Sequence, residues 1–262
     1  MLFFPEIYAM ITAIMELLRE VETKHKIKIH YACESGSRAW GFPSPDSDFD
    51  IRFIYLHQRD WYLSANEGED NIRVMPNELL DGSGWDFRKF LRLMHASNAS
   101  VFEWLNSPIV YFEDQTFVDA LRELAAGYFQ PKKVMHHYLG IATSMLEKEF
   151  QTDLVKIKKY FYVLRPVLSA SWIAAHGTPP PIDFYELLPL VQGNLPVHRA
   201  IQTLLKQKET ALEGEQVPRV AVLDEFVATE KEHCETIARG LEKRPVTWDA
   251  INDFYRKTLN IQ

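Results

Sequence analysis

Apolar and polar positions keep one rhythm at the start of the chain, change it twice, and then settle. Residues 5–26 repeat with a helical period: Ile7, Met10, Ile11, Ile14, Leu17, Leu18 and Val21 share a stripe, and Pro5 suits a first turn. The period then drops to two. Ile27, Ile29, Tyr31 and Cys33 alternate with Lys28, His30 and Ala32, which predicts a strand with one buried face. A Gly36-Ser37 turn and a segment broken by Pro43 and Pro45 follow. Alternation resumes over 48–55, with Asp48, Asp50 and Arg52 polar and Phe49, Ile51, Phe53 and Tyr55 apolar. A further short strand is expected near 72–75, resuming around 79–81. From Asp86 the period is helical again, placing Phe87, Phe90, Leu91 and Met94 on one side. Past Tyr111 the strand signals fade.

Helices are then predicted from a cap at Asp114 to Gly127, from Pro131 to about Phe150, and over 152–176. The last stops before Gly177 and the Pro179-Pro180-Pro181 run, and Pro196, Pro218 and Thr247 mark three more starts. The expected fold class is α+β: a small mixed-sheet domain over 1–112, then an all-helical domain over 113–262. No internal repeat stands out.

Composition narrows the field without choosing a function. With 47% hydrophobic and 25% charged residues, a chain of 262 residues buries a proper core and is not generally disordered. A net charge of −7 argues against a surface that grips nucleic acid all over, though one basic groove remains compatible. Cys33 and Cys234 stand far apart, so neither a disulfide framework nor a structural zinc site is expected. The start MLFFPEIYAM lacks a basic segment, and the apolar run near 163–175 is short and holds Arg165 and Pro166. No leader and no membrane segment are expected, and a reducing cytoplasm is the default location.

The candidate chemistry lies in GSRAWGFPSPDSDFDIR. Two carboxylates on one face of a strand repel each other unless a cation sits between them, and a hard divalent ion such as Mg²⁺ suits their oxygens. Gly36 permits a tight turn whose N–H groups approach an anion, with the Ser37 hydroxyl beside it. Together they point to chemistry on a nucleoside triphosphate. Arg38, next to the turn, is a candidate phosphate ligand. Lys89, Lys159 and Arg165 are further cations on predicted helices, where a solvated or core role competes with phosphate binding. His136-His137 cannot share a metal, because neighbours on a helix diverge by about 100°. His233-Cys234-Glu235 lacks the second half of a deaminase zinc motif. Tyr160, Phe161 and Tyr162 are read as packing, and Glu34 as a turn residue.

The same stretch resembles the signature of the polymerase-beta-like nucleotidyltransferase superfamily, and within it the predicted bacterial and phage nucleotidyltransferases with an RNA-repair-associated branch. The likeness extends through WYLSANEGED (61–70), GWDFRKFLRLMHASNASVFEWLNSPIVY (84–111), MHHYL (135–139) and KIKKYFYVLRPVL (156–168). It implies a palm-like first domain and transfer of an NMP group from an NTP to an acceptor hydroxyl, with release of pyrophosphate. It also implies Mg²⁺ or Mn²⁺ on Asp48 and Asp50 with a third carboxylate from a neighbouring strand. Asp81 is favoured for that place. Asp86 is the alternative, competing with a role as helix cap. Gly36, Ser37 and Arg38 are implied to hold the triphosphate, with Lys89, Lys159 and Arg165 as further candidates. The acceptor is an RNA end in the first reading, approached by a groove lined by Lys132, Lys133 and the 156–165 cations. A protein or small-molecule acceptor is the enzymatic rival. A nucleotide-binding regulatory module with little turnover is the reading from another class.

Overall fold

In the computed structural model, which describes residues 4–212 and 214–260, the first half of the chain builds a five-stranded mixed sheet. The helix α1 (Phe4–His25) leads into β1 (Ile27–Ser35), the single turn α2 (Gly36–Ala39) and β2 (Phe49–His57). A second single turn, α3 (Arg59–Tyr62), precedes β3 (Asn71–Asn77) and β4 (Leu80–Asp86). Then come α4 (Phe87–His95), α5 (Ala99–Leu105), β5 (Val110–Glu113) and α6 (Gln115–Ala126). The strand order is β3-β4-β2-β1-β5. β2 and β4 run parallel, while the other neighbours are antiparallel.

Alternation places the two faces of this sheet. Phe49, Ile51, Phe53 and Tyr55 of β2 enter a core with Ile14, Leu18 and Val21 of α1. The opposite parity, Ile54 and Leu56, is also buried, with α4 packed on β2 and α5 and α6 on β1. β1 departs from the simple alternation expected for it. Its register slips between Ile29 and Tyr31, so Ile27, Ile29 and Ala32 share the α1 side while Tyr31 crosses over. Tyr31 there donates its hydroxyl to the Trp104 carbonyl at 2.6 Å. A bulge adds one residue and inverts everything after it, which is why Ala32 is core where a polar-face position was expected.

β4 and β5 were not anticipated as they stand. The strand expected to end near Asp81 runs on through Gly82, Ser83, Gly84 and Trp85. Glycines at alternate positions erase the apolar half of the period, and packing explains them. A Cβ on Gly84 would lie 2.0 Å from the Phe53 ring, and one on Gly82 would lie 2.5 Å from a Val74 methyl. β5 is a four-residue edge strand whose Val110 and Phe112 are more than one-third exposed.

The remaining elements are α7 (Pro131–Glu149), β6 (Leu154–Lys156), α8 (Ile157–His176), a 3₁₀ helix over Phe184–Val191, α9 (Leu195–Lys208), β7 (Gln216–Pro218), α10 (Ala221–Gly240) and α11 (Asp249–Asn260). Their caps follow the sequence. Asp114 accepts the Phe117 N–H at the head of α6, and Gly177 ends α8 in the left-handed region at φ 68°. Pro218 lies in β7, just before the α10 start that it was expected to mark.

Contacts group the chain into two units, at places other than residue 112. The sheet unit takes everything up to Gly36, Asp48–Tyr128 and everything from Pro245 on. α6 packs on β1 and stays with the sheet. The segment around α11 returns to it: Trp248, just before the helix, stacks on His95 at 3.7 Å, and Tyr255 meets Tyr62 at 5.7 Å. The helical unit takes Ser37–Ser47 and Phe129–Arg244. In it Phe42 contacts Phe161 and Phe184, and the buried Lys208 ammonium donates to Ser44 Oγ at 2.6 Å. Among the described residues no helix is long and apolar enough to cross a membrane.

Candidate active site

The parallel pairing of β2 and β4 sets Asp50 directly beside Asp81. Both face away from the α1 core, on a stretch of sheet where their side chains stay about one-fifth exposed. Arg52, two residues on and therefore on the same face, bridges them. Its guanidinium donates to Asp50 Oδ1 at 2.6 Å and to Asp81 Oδ2 at 3.1 Å, and also to the Asp81 carbonyl at 2.9 Å. Asp48 lies just outside β2, which begins at Phe49 rather than at Asp48 as expected. It is near enough to act on Asp50 through its charge. The Asp50 carboxyl is pushed above its ordinary range, first by burial and then by the charges of Asp48 and Asp81, with Arg52 pulling the other way.

Gly36 closes the other side. Its φ of 61° lies in the left-handed region, and a Cβ there would sit 2.0 Å from Asp50 Oδ2. Glycine is thus required twice, for the turn and for the approach of the carboxylate. Behind Asp50, Glu34 is a buried residue of β1 and not a turn residue. Its Oε1 accepts the Asp50 N–H at 2.7 Å, and its Oε2 accepts the Tyr111 hydroxyl. Ser107 donates to the Glu34 carbonyl at 2.6 Å. This buried lattice ties the ends of β1, β2 and β5 together under the acidic face.

Ser37 and Arg38 begin the connection that belongs to the helical unit. Ser37 Oγ donates to Ser47 Oγ at 3.2 Å, and the Arg38 guanidinium donates to the Ser47 carbonyl at 2.7 Å. The connection is thus braced by its own polar groups.

The other sequence candidates are placed elsewhere. Asp86 is fully buried, caps α4 through the Arg88 N–H and accepts the Tyr62 hydroxyl at 2.6 Å, five residues along β4 from Asp81. Lys89 pairs with Asp70 at 2.8 Å beyond that same far end of the strand. In the helical unit, Lys159 pairs with Glu149 at 2.8 Å. Arg165 is buried with its guanidinium 4.5 Å from the Trp40 ring centre, so it is no part of a solvated basic face. Lys132 is occupied with the Arg239 and Leu241 carbonyls at the end of α10. Tyr160 and Phe161 are core.

Two functional-looking residues escaped the sequence reading. Arg52 was noted only as a polar position of the strand, although its parity with Asp50 is the signal that puts it in the cluster. Glu34 was set aside because strand β1 was expected to end before it.

The donor set suits a hard divalent cation. Two carboxylates, Asp50 and Asp81, meet one guanidinium with the charge of Asp48 nearby, so the cluster stays negative, and the buried Oδ1 of Asp81 has no hydrogen-bond partner among the described residues. Among the described residues no three acidic, histidine or cysteine side chains form a ready cage, and Arg52 bridges Asp50 and Asp81.

Comparison with known proteins shows the family. The model of the RNA repair pathway DNA polymerase beta family (RlaP) matches residues 10–257, and the chain belongs to that family. It is thus a polymerase-beta-like protein of nucleotidyltransferase type. An uncharacterised Bacillus subtilis (strain 168) protein, YcgL, is 43% identical over 236 residues, covering 89% of this chain and 91% of its own. A crystal structure of a nucleotidyltransferase-like protein from Exiguobacterium sibiricum aligns over 97% of this chain and 80% of its own, at 9% identity and a TM-score of 0.32.

Proposed function

We propose that the protein transfers a nucleoside monophosphate from an NTP to the hydroxyl of an RNA end and releases pyrophosphate. One observation carries the reading: Asp50 and Asp81 stand side by side on parallel strands, within reach of Asp48's charge and against the left-handed Gly36. The family's tie to RNA repair supports RNA as the acceptor.

Asp48, Asp50 and Asp81 are assigned to Mg²⁺ or Mn²⁺. When bound, such an ion acidifies the acceptor hydroxyl and neutralises charge on the triphosphate and the departing pyrophosphate. The chain's own part is positional. Glu34 fixes the Asp50 backbone from below, so the carboxylate is aimed before substrate arrives. Gly36 gives the Asp50 carboxylate its close approach to the turn. Ser37 and Arg38, next in the chain, are assigned to the triphosphate on the strength of the motif. The acceptor oxygen bonds to the α-phosphorus as the bond between that phosphorus and the α–β bridging oxygen breaks. The hydroxyl proton passes to the Asp81 carboxylate.

The test is incubation with each α-labelled NTP, Mg²⁺ or Mn²⁺, and a mixture of RNA and protein acceptors. Label on RNA ends is expected, and Asp50→Asn should remove it while the circular dichroism spectrum stays unchanged. Label on protein alone would move the acceptor to the rival class. NTP-dependent stabilisation without any labelled product would favour a binding module, the reading that Arg52's position between the acids supports. Undiminished transfer by Asp50→Asn would refute the site itself.

A further inference from the structure

A cavity of about 1180 Å³ lies where β1 begins and β2 ends, walled also by residues of α6 and α11. Asp50 precedes Leu56, part of its wall, by six residues along β2, which puts the cavity roughly 20 Å from the acidic cluster. Phe117 and Phe254 supply aromatic surface, and Lys26, Lys28, Arg59 and Lys257 line it with positive charge. In a chain of net charge −7 this convergence is unexpected. None of the four cations makes an ion pair or a side-chain hydrogen bond among the described residues.

Glu22, Asp60 and Asp114 share the wall, so its four cations exceed its carboxylates by one. Glu22 accepts the Ile29 N–H at 2.7 Å. Asp114 takes the His30 Nδ1–H at 3.2 Å and caps α6 through the Phe117 N–H. That leaves Asp60 as the one lining carboxylate without such an engagement. Hydrogen-bonding capacity is also unused. The side chains of Gln58 and Thr116 have no partner among the described residues, and neither has Nε2 of His30, a wall residue only 7% exposed. Gln58 and Thr116 are exposed, so of these only the His30 Nε2 is a buried polar atom without a partner, which is rare in a settled fold.

We propose that this cavity is a nucleotide site separate from the carboxylate cluster. Phosphate lies among Lys26, Lys28, Arg59 and Lys257, and the base lies against Phe117 and Phe254 with its edge toward Gln58 and Thr116. The volume exceeds what one mononucleotide fills, so the ligand is either a free nucleotide or one residue of an RNA strand. Inorganic phosphate alone would leave the aromatic surface wet. The site needs no divalent ion.

The full chain in EDTA separates it from the proposed transfer site, which depends on metal. AMP, a labelled single-stranded RNA hexamer and inorganic phosphate are titrated by calorimetry and fluorescence anisotropy. Binding of AMP or the hexamer at one per chain is expected. Lys28→Glu combined with Lys257→Glu, both exposed positions, should weaken it by about tenfold or more with the melting temperature preserved. Asp50→Asn should leave it unchanged. Hexamer affinity about tenfold above that of AMP would identify RNA as the source, and equal affinity a free nucleotide. Binding of neither probe, binding indifferent to the double variant, or displacement by phosphate at the same affinity as AMP would each overturn the proposal.

Discussion

At the scale of single residues, the acidic cluster is held at a cost in stability. Burial and two like charges disfavour the ionised Asp50, and one arginine offsets them only in part. The sign follows from linkage. A carboxyl whose folded pKa is raised favours the fold below its unfolded pKa, and that contribution is lost as pH rises through the folded pKa. Ionised Asp50 therefore weakens the fold at neutral pH. Asp50→Asn is expected to melt no lower than the parent at pH 7, with the difference narrowing on acidification through the ordinary carboxylate range and just above it. A melting series by circular dichroism checks this, and a variant several degrees less stable at pH 7 would contradict it. The same reasoning makes Mg²⁺ protection pH-dependent. A bound cation favours ionised Asp50, so the gain in melting temperature with Mg²⁺ should grow as pH rises through that raised pKa, and Asp50→Asn should lose most of it.

At the scale of elements, register decides what the site contains. A one-residue slip of β4 against β2 would turn Asp81 to the other face. Gly84 helps to fix that register by admitting the Phe53 ring where any other residue places a Cβ. Gly84→Ala forces a methyl into a fully buried ring and should cost about 1–3 kcal/mol in urea unfolding. Adding Phe53→Leu should recover part of that loss, and additive costs would show that the two side chains do not compete. Such packing also sets how much of the molecule was legible beforehand. β2 was readable because its alternation is complete, and α6 and α7 because Asp114 and Pro131 mark their starts. β4 was not, since its glycines exist for the sake of Phe53 and Val74, which are remote in sequence. The bulge in β1 leaves no local mark, so Ala32 is expected on the polar face, and Glu34 reads as a turn residue although β1 runs on through it. Asp81 could be named as a candidate from sequence, but its contact with Arg52 depends on strand pairing.

At the scale of the whole molecule, chain order and contact grouping disagree, and the disagreement has a thermodynamic consequence. The last segment leaves the helical unit and packs on the sheet unit through Trp248 on His95, Phe254 near Phe87 and Tyr255 near Tyr62, with Ile251 buried. Tyr128 also donates its hydroxyl to the Thr247 carbonyl at 2.9 Å. Burying an aromatic or branched side chain contributes about 1.5–3 kcal/mol, and several of these are only partly covered. Removing residues 245–262 should therefore cost the sheet unit on the order of 5 kcal/mol, comparable with the whole stability of a small domain. The helical unit has its own core around Phe161, Leu164, Phe184 and Leu187, to which the segment contributes nothing. Hydrogen exchange on the truncated chain should show β1, β2 and β4 losing protection while α7, α8 and α10 keep theirs. Equal loss across both sets would mean that the two contact units unfold as one, and that the grouping has no independent energetic meaning.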